Sequence, residues 1–211
     1  MSDHRIASLD DLAALYPNPV APASIFKEID HLDANYAALI AASPFMLLAT
    51  SGPDGLDCSP RGDEPGFVHV LDEKTLLIPD RRGNNRLDSL KNLIGDPRVG
   101  LLFLIPGYGE TLRVNGTAML SRDPALCARF AMAGKLPACV IVVNVESAYF
   151  QCSRAVVRAD LWSPAKHVAK GDLPSAGQIL REITEKQQDV ETFDGEAYDK
   201  ALPERVKATL Y

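Results

Sequence analysis

No two cysteines of this chain stand in a Cys-x-x-Cys pair; the four present, Cys58, Cys127, Cys139 and Cys152, are scattered. Zinc sites and thioredoxin-type thiols need closely spaced ligands, so neither chemistry is indicated. Cys139 lies in an apolar run and is expected to be a small core residue, and free thiols fit a reducing compartment. His4, His31, His69 and His167 also lack ligand spacing. No apolar run approaches the eighteen or so residues of a membrane span, and the start Met-Ser-Asp-His-Arg-Ile does not resemble a signal peptide. The expected location is therefore the cytoplasm. A net charge of -6 argues against general nucleic-acid binding and against an anionic membrane surface. There is no Gly-x-Gly-x-x-Gly fingerprint and no Walker loop, which removes Rossmann and nucleotide-hydrolase readings.

What is present is a core: 211 residues at 46% hydrophobic can bury one domain with appendages. Residues 1–43 are expected to form a helical arm, 44–165 the main domain and 166–211 a helical tail. Within the arm a short helix is predicted from Leu9 to Leu15. After the prolines at 17, 19 and 22, a second is predicted from Ser24 to Ala42 on the apolar spacing of Ile25, Ile29, Leu32, Tyr36, Leu39 and Ile40. Ser43-Pro44 ends it.

Strands are predicted over 45–50, 56–60, 66–71, 75–78, 99–105, 111–120, 138–150 and 155–162, with a turn at Ser51-Gly-Pro-Asp-Gly55. So many strands with few helices between them suggest an antiparallel barrel or sandwich. On strand 111–120, Thr111, Arg113, Asn115 and Thr117 face one way and Leu112, Val114, Ala118 and Leu120 the other. Short helices are expected at 123–132 and 175–188, with a loose end at Leu202-Pro203.

The most informative stretch is 75–91. Apolar Leu76 to Ile78 breaks at Pro79 into Asp80-Arg-Arg-Gly-Asn-Asn-Arg86, and an amphipathic helix follows, stopped by Gly95 and Pro97. Arg86 is expected in the first helical turn, where a cation opposes the helix dipole. An anion held by Arg81, Asn84, Asn85 and Arg86 would relieve that conflict. The alternative is an ordinary polar loop with Asn84 or Asn85 as N-cap. Residues 80–91 are locally +2; Arg61 and Arg113 add to the field if the fold brings them near. Arg61 and the backbone at Gly62 either meet a ligand or form a turn held by Asp63. The Arg-Gly-Asp tripeptide there is read as coincidental. Trp162 is read as a core residue in preference to a cofactor-stacking one.

Four segments in order resemble the pyridoxamine 5'-phosphate oxidase-like family of flavin-binding split barrels. They are Phe45-Met-Leu-Leu-Ala-Thr50 with Gly55, Leu77-Ile-Pro-Asp-Arg-Arg-Gly-Asn-Asn-Arg86, Asp96-Pro-Arg-Val-Gly-Leu-Leu-Phe103, and Glu110-Thr-Leu-Arg-Val-Asn-Gly116. Ser59-Pro-Arg-Gly-Asp63 and Asn84-Asn-Arg86 are similar to an uncharacterised bacterial subgroup. The resemblance implies an α+β fold, mainly β with flanking helices: an antiparallel FMN-binding split β-barrel that forms a homodimer with FMN between subunits. It puts Asn84 and Arg86 at the family's phosphate-binding serine and lysine positions, with Asn85 between and Arg81 beside them. Asp80 takes the hydroxyl-bearing position near the ring or ribityl chain, and Thr111 replaces a glutamine that contacts the flavin. Ser59, Arg61 and Gly62 lie near the family's strand-borne arginine, one residue out of register. Arg61 or Arg113 would stabilise negative charge on a reduced ring.

The C-terminal substrate signature of true pyridoxamine phosphate oxidases is not found, so vitamin B6 oxidation is not expected. The resemblance implies an FMN-dependent oxidoreductase using NADH, NADPH or an unnamed small substrate. The alternatives are a non-catalytic flavin carrier or sensor, and a split barrel that has exchanged FMN for haem or a deazaflavin.

Overall fold

A computed structural model describes residues 4–169 and 171–211. Residues 1–3 of the expected arm and residue 170 of the expected tail lie outside the described residues. Seven strands form one antiparallel sheet: β1 (Phe45–Gly52), β2 (Gly55–Gly62), β3 (His69–Asp72), β4 (Thr75–Pro79), β5 (Arg98–Leu104), β6 (Thr111–Ser121) and β7 (Val140–Gln151). Their spatial order is β2-β1-β5-β6-β7-β4-β3, with β2 and β3 as open edges. The expected α+β class, an antiparallel sheet with flanking helices, is found; among the described residues the sheet of the expected split barrel is not closed on itself, and no second sheet forms a sandwich with it.

Alternation builds the core. Met46 and Leu48, Leu101 and Phe103, Leu112 and Val114, and Ile141 and Val143 are buried on one face, joined by Leu76 and Ile78. Leu77 and Val140 point the other way and are covered by Cys127 and Phe130, in and just after α5 (Pro124–Ala128). Cys127, not Cys139, is thus the buried core thiol. Cys139 is only half-buried; burial first, then the Asp80 carboxylate, raises its pKa.

On strand β6 the predicted faces hold, and Gly116 marks a register shift against β7. A Cβ at Gly116 would lie 2.0 Å from the Asn144 carbonyl oxygen, so only glycine admits this close strand approach.

The helix α1 (Leu9–Leu15) lies where a short helix is expected, whereas α2 (Pro22–Phe26) and α3 (Ala34–Ala42) replace the single helix expected over 24–42. Between α2 and α3, Ile29 pairs with Ala148 through backbone bonds of 3.0 and 2.8 Å, and Leu32 N–H donates to the Glu73 carbonyl. The apolar spacing is real, but the sheet takes the backbone bonds at Ile29. Asp33 then starts α3 by accepting from Tyr36 N–H at 2.8 Å.

Residues 155–162 are also not a strand: α6 (Arg154–Ala159) occupies them. The chain leaves the sheet after Gln151, and with no neighbouring strand the backbone bonds locally despite Val156 and Val157. Beyond a short 3-10 turn at Pro164–Lys166, α7 (Ala176–Glu185) is stopped short of Gln188 and packs against α8 (Gly195–Ala208). Asp199 of α8 binds Ser175 Oγ and Gly177 N–H at the start of α7. The expected loose end at Leu202-Pro203 lies inside α8, with Pro203 in the helix interior. Among the described residues no helix is long and apolar enough to cross a membrane.

Candidate functional site

The helix α4 (Asp88–Gly95) lies against β1 and β2 and fixes the loop before it. Ser89 Oγ–H donates to Asp57 on β2 at 2.6 Å, and Asn92 Nδ2–H donates to Thr50 on β1 at 3.1 Å. Gly52 leaves the room, since a Cβ there would lie 2.0 Å from Asn92 Oδ1. These contacts open a cleft of about 980 Å³ between the β2 edge, the loop from Asp80 to Leu87, the start of α4 and the 132–138 segment. Among the described residues five cations line it (Arg61, Arg81, Arg82, Arg86 and Lys135) against three acids (Asp57, Asp80 and Asp88).

Three of the arginines are held by carboxylates. Arg61 NH1 donates to Asp80 Oδ1 at 2.9 Å, Arg81 Nε to Asp63 Oδ2 at 2.7 Å, and Arg86 Nε to Asp88 Oδ2 at 2.8 Å. Arg81 NH1 also donates to the Phe130 carbonyl at 2.7 Å, so its plane is fixed from two sides. The Nε of Arg61 is buried and has no hydrogen-bond partner among the described residues. Its strand register, Met46 opposite Arg61, aims the side chain from β2 at the end of β4. Asp63 is 2% exposed at its side chain. Burial pushes its pKa up, but hydrogen bonds from Tyr211, from the Glu64 N–H and from Arg81 outweigh this and hold the carboxyl below its usual range.

The loop differs from expectation at the helix start. α4 begins at Asp88, and its N-cap is Leu87 in the left-handed region, with no side-chain oxygen for the first N–H groups. Arg86 therefore precedes the helix, and the acid in the first turn, Asp88, has the sign that the dipole favours. The dipole conflict expected at Arg86 does not exist. Asn84 does not cap the helix either: its Oδ1 accepts from Arg86 N–H at 3.1 Å, which leaves its amide N–H groups as donors. Asn85 and Leu87 both have φ of 61°. Asparagine tolerates this conformation, whereas for leucine it costs roughly 1–2 kcal/mol. The uncapped N–H groups at the start of α4 and the two amide side chains make this corner a donor-rich seat for an anion.

Of the ten residues singled out from sequence, Ser59, Arg61, Gly62, Asp80, Arg81, Asn84, Asn85 and Arg86 all line the cleft. Thr111 and Arg113 do not. They lie on β6, where Arg113 NH1 donates to Tyr149 Oη at 2.8 Å and its guanidinium stands 5.4 Å from that ring. Sequence reasoning missed Asp57, Lys135 and Tyr211. Lys135 is presented by a tight turn in which Met132 and Lys135 exchange backbone bonds of 2.9 Å. Both residues between them, Ala133 and Gly134, are left-handed, but by residue type only Gly134 signals a turn. Trp162 is half-buried outside the core, its Nε1–H donating to the Tyr108 carbonyl at 2.7 Å, and His167 is exposed after the 3-10 turn.

A family model described as pyridoxamine 5'-phosphate oxidase matches residues 32–152, more than half of the chain. The chain belongs to this family. Solved structures to which it is similar include HupZ of Group A Streptococcus, at 16% identity and a TM-score of 0.47, covering 58% of this chain and 95% of that one. The FAD binding protein from Mycobacterium smegmatis is similar at 17% identity and a TM-score of 0.41, covering 58% and 97%. General stress protein 26 from Bacillus anthracis is similar at 16% identity and a TM-score of 0.42, covering 54% and 88%. No curated protein sequence matches the chain.

Proposed function

We propose that this protein binds FMN in the cleft and acts as an oxidoreductase between that flavin and a small substrate or a nicotinamide donor. The observation that carries the reading is the buried Nε of Arg61, which has no partner in a cleft otherwise rich in donors. Leaving such a group unsatisfied costs about 1–3 kcal/mol, so a ligand that brings an acceptor there binds with that cost removed. FMN offers acceptors of several kinds: three phosphate oxygens, ribityl hydroxyls and ring carbonyls.

The donor set fits the group. Arg82, Asn84, Asn85, Arg86 and the uncapped N–H groups of α4 would hold the phosphate, with Arg81 locked beside them by Asp63. Asp80 keeps the Arg61 guanidinium oriented without using its Nε. When bound, the isoalloxazine supplies the hydride and single-electron chemistry. This chain's own residues bind it, orient it and limit water around it.

Thr111 and Arg113 keep a role in this reading if two protomers associate so that β6 of one faces the cleft of the other. We therefore propose a homodimer. Exposed apolar side chains suit such burial: Met119 on β6 is 61% exposed and Ile94 on α4 is 81% exposed. A light-scattering mass of two chains is expected, and a monomer that retains flavin would refute this arrangement.

Two measurements test the main reading. The purified protein, incubated with FMN and desalted, should show the two visible bands of bound oxidised flavin, and it should bind FMN more tightly than riboflavin. A protein that takes up neither, or both equally, removes the phosphate seat. Steady oxidation of NADH or NADPH by the loaded protein would support turnover; its absence with every donor leaves a flavin carrier.

A further inference from the structure

One residue ties the segment after α8 to the cleft. Tyr211 Oη–H donates to Asp63 Oδ1 at 2.8 Å, and its ring stands 5.6 Å from the Arg81 guanidinium. Its main-chain oxygen accepts from Lys135 Nζ at 2.5 Å. Asp63 thus holds Arg81 with one oxygen and Tyr211 with the other. The neighbouring chain is not buried in the same way: Val206 and Leu210 are both more than half exposed. What fixes this segment at the cleft is a set of polar bonds to charged groups.

Polar latches of this kind open and close more readily than apolar anchors, because water replaces their partners when they part. The position also has chemical meaning. The β2 and loop walls of the cleft present chiefly charged and amide side chains. Of the two aromatic residues that line it among the described residues, Phe67 is buried in the core, whereas Tyr211 is only half-buried. Tyr211 is therefore the aromatic surface available to a planar ligand, and aromatic rings prefer such neighbours in offset or edge contact.

We propose that Tyr211 is a movable wall of the ligand cleft, and that the segment after α8 is a latch which retains a planar anionic ligand and screens it from solvent. The inference rests on the flavin reading of the cleft. Release of the latch would free Lys135 and one oxygen of Asp63, and it would open the cleft along the wall that Tyr211 forms. Ligand exit and access of a second substrate then depend on the same movement.

The test uses Tyr211→Phe, Tyr211→Ala and a chain lacking residues 209–211. Each is loaded with FMN, and two quantities are read: the flavin dissociation rate after mixing with a trap, and iodide quenching of the bound flavin's fluorescence. Tyr211→Ala and the shortened chain should release flavin about tenfold faster, as expected for loss of one charge-assisted hydrogen bond and the ring contact it holds. They should also be quenched more steeply. Tyr211→Phe keeps the ring and loses only the donor, so it should fall between these and the wild type. Flavin-loaded variants with wild-type release and quenching overturn the proposal. A second readout needs no flavin: a fluorine label on the Tyr211 ring of the ligand-free protein. Its resonance should differ from that of the unfolded chain and move toward it in Lys135→Met. If the wild type takes up no flavin, the functional reading fails by itself and the fluorine label decides the latch. A resonance already at the unfolded position overturns it.

Discussion

The Arg61–Asp80 pair offers the sharpest test of the cleft. Both side chains are mostly enclosed, at 18% and 14% exposed, and they meet at 2.9 Å. Arg61→Met has two opposing effects on the ligand-free protein. It removes the unsatisfied Nε–H, worth about 1–3 kcal/mol in favour of the variant. It also leaves Asp80 without its cation in a poorly hydrated place, a larger penalty of about 3–5 kcal/mol. The single substitution should therefore destabilise by about 1–3 kcal/mol. Adding Asp80→Asn replaces the stranded carboxylate by a neutral amide, so the double variant should be more stable than the single one by about 1–2 kcal/mol in urea unfolding.

Ligand binding should not follow this recovery. If the Nε of Arg61 donates to FMN, its loss removes a charge-assisted bond of about 1.5–3 kcal/mol, roughly ten- to hundredfold in affinity. Both variants should show that loss by fluorescence quenching. A double variant that unfolds at wild-type urea concentration and binds FMN with wild-type affinity would refute the assignment of this orphaned donor to the ligand.

Arg86→Ala should weaken FMN roughly tenfold and leave riboflavin unchanged, measured by parallel titrations. Its pair with Asp88 is exposed, with Arg86 at 75%, so ligand-free stability should shift by no more than about 0.5 kcal/mol. Asp63→Asn should flatten the acid limb of stability. The Asp63 pKa is lower folded than unfolded, so its contribution is full above about pH 4. It is lost as pH falls through the folded value, where the unfolded chain binds more protons. Urea midpoints between pH 3 and 6 that fall equally in wild type and variant would contradict this. Gly116→Ala should cost about 3 kcal/mol, because its Cβ would meet the Asn144 carbonyl at 2.0 Å and neither backbone can yield; a thermal melt within a degree of wild type would show the sheet relaxes there.

The strands were legible because alternation survives along them: β1, β5 and β6 each bury every second side chain over most of their length. The polar loop of the cleft was legible for a related reason, since a contiguous charged run after an apolar strand has to leave the sheet. Its geometry was not. Asn84 looks like a helix cap by residue type, but its oxygen turns back on the Arg86 N–H two residues on, and two left-handed residues delay the helix. Residue type does not distinguish those outcomes. Helical spacing at Ile25, Ile29 and Leu32 misled for a different reason: the partner that broke the helix, Ala148, is more than a hundred residues away. The same distance hid Tyr211, whose bond to Asp63 spans 148 positions.

The carboxylates of the cleft deserve a physical account, because placing acids among five cations weakens the field they create. Asp63, Asp80 and Asp88 each take one edge of an arginine and leave other N–H groups of the same guanidinium free. An arginine so held loses little rotamer freedom when a second acceptor arrives, so the bond it then makes is stronger net than that of a free side chain. Alignment is gained and attraction is kept, since among the described residues the acids that line the cleft, Asp57, Asp80 and Asp88, leave its five cations two charges in excess, while Asp63 sits behind Arg81 outside the lining. A phosphate monoester carries about -1.5 to -2 near neutral pH, which would bring the cleft close to neutrality. A carboxylate would leave it positive, and a triphosphate would drive it strongly negative. The charge balance therefore favours a single terminal phosphate, and riboflavin, FMN and FAD titrated side by side would rank by that balance, with FMN first.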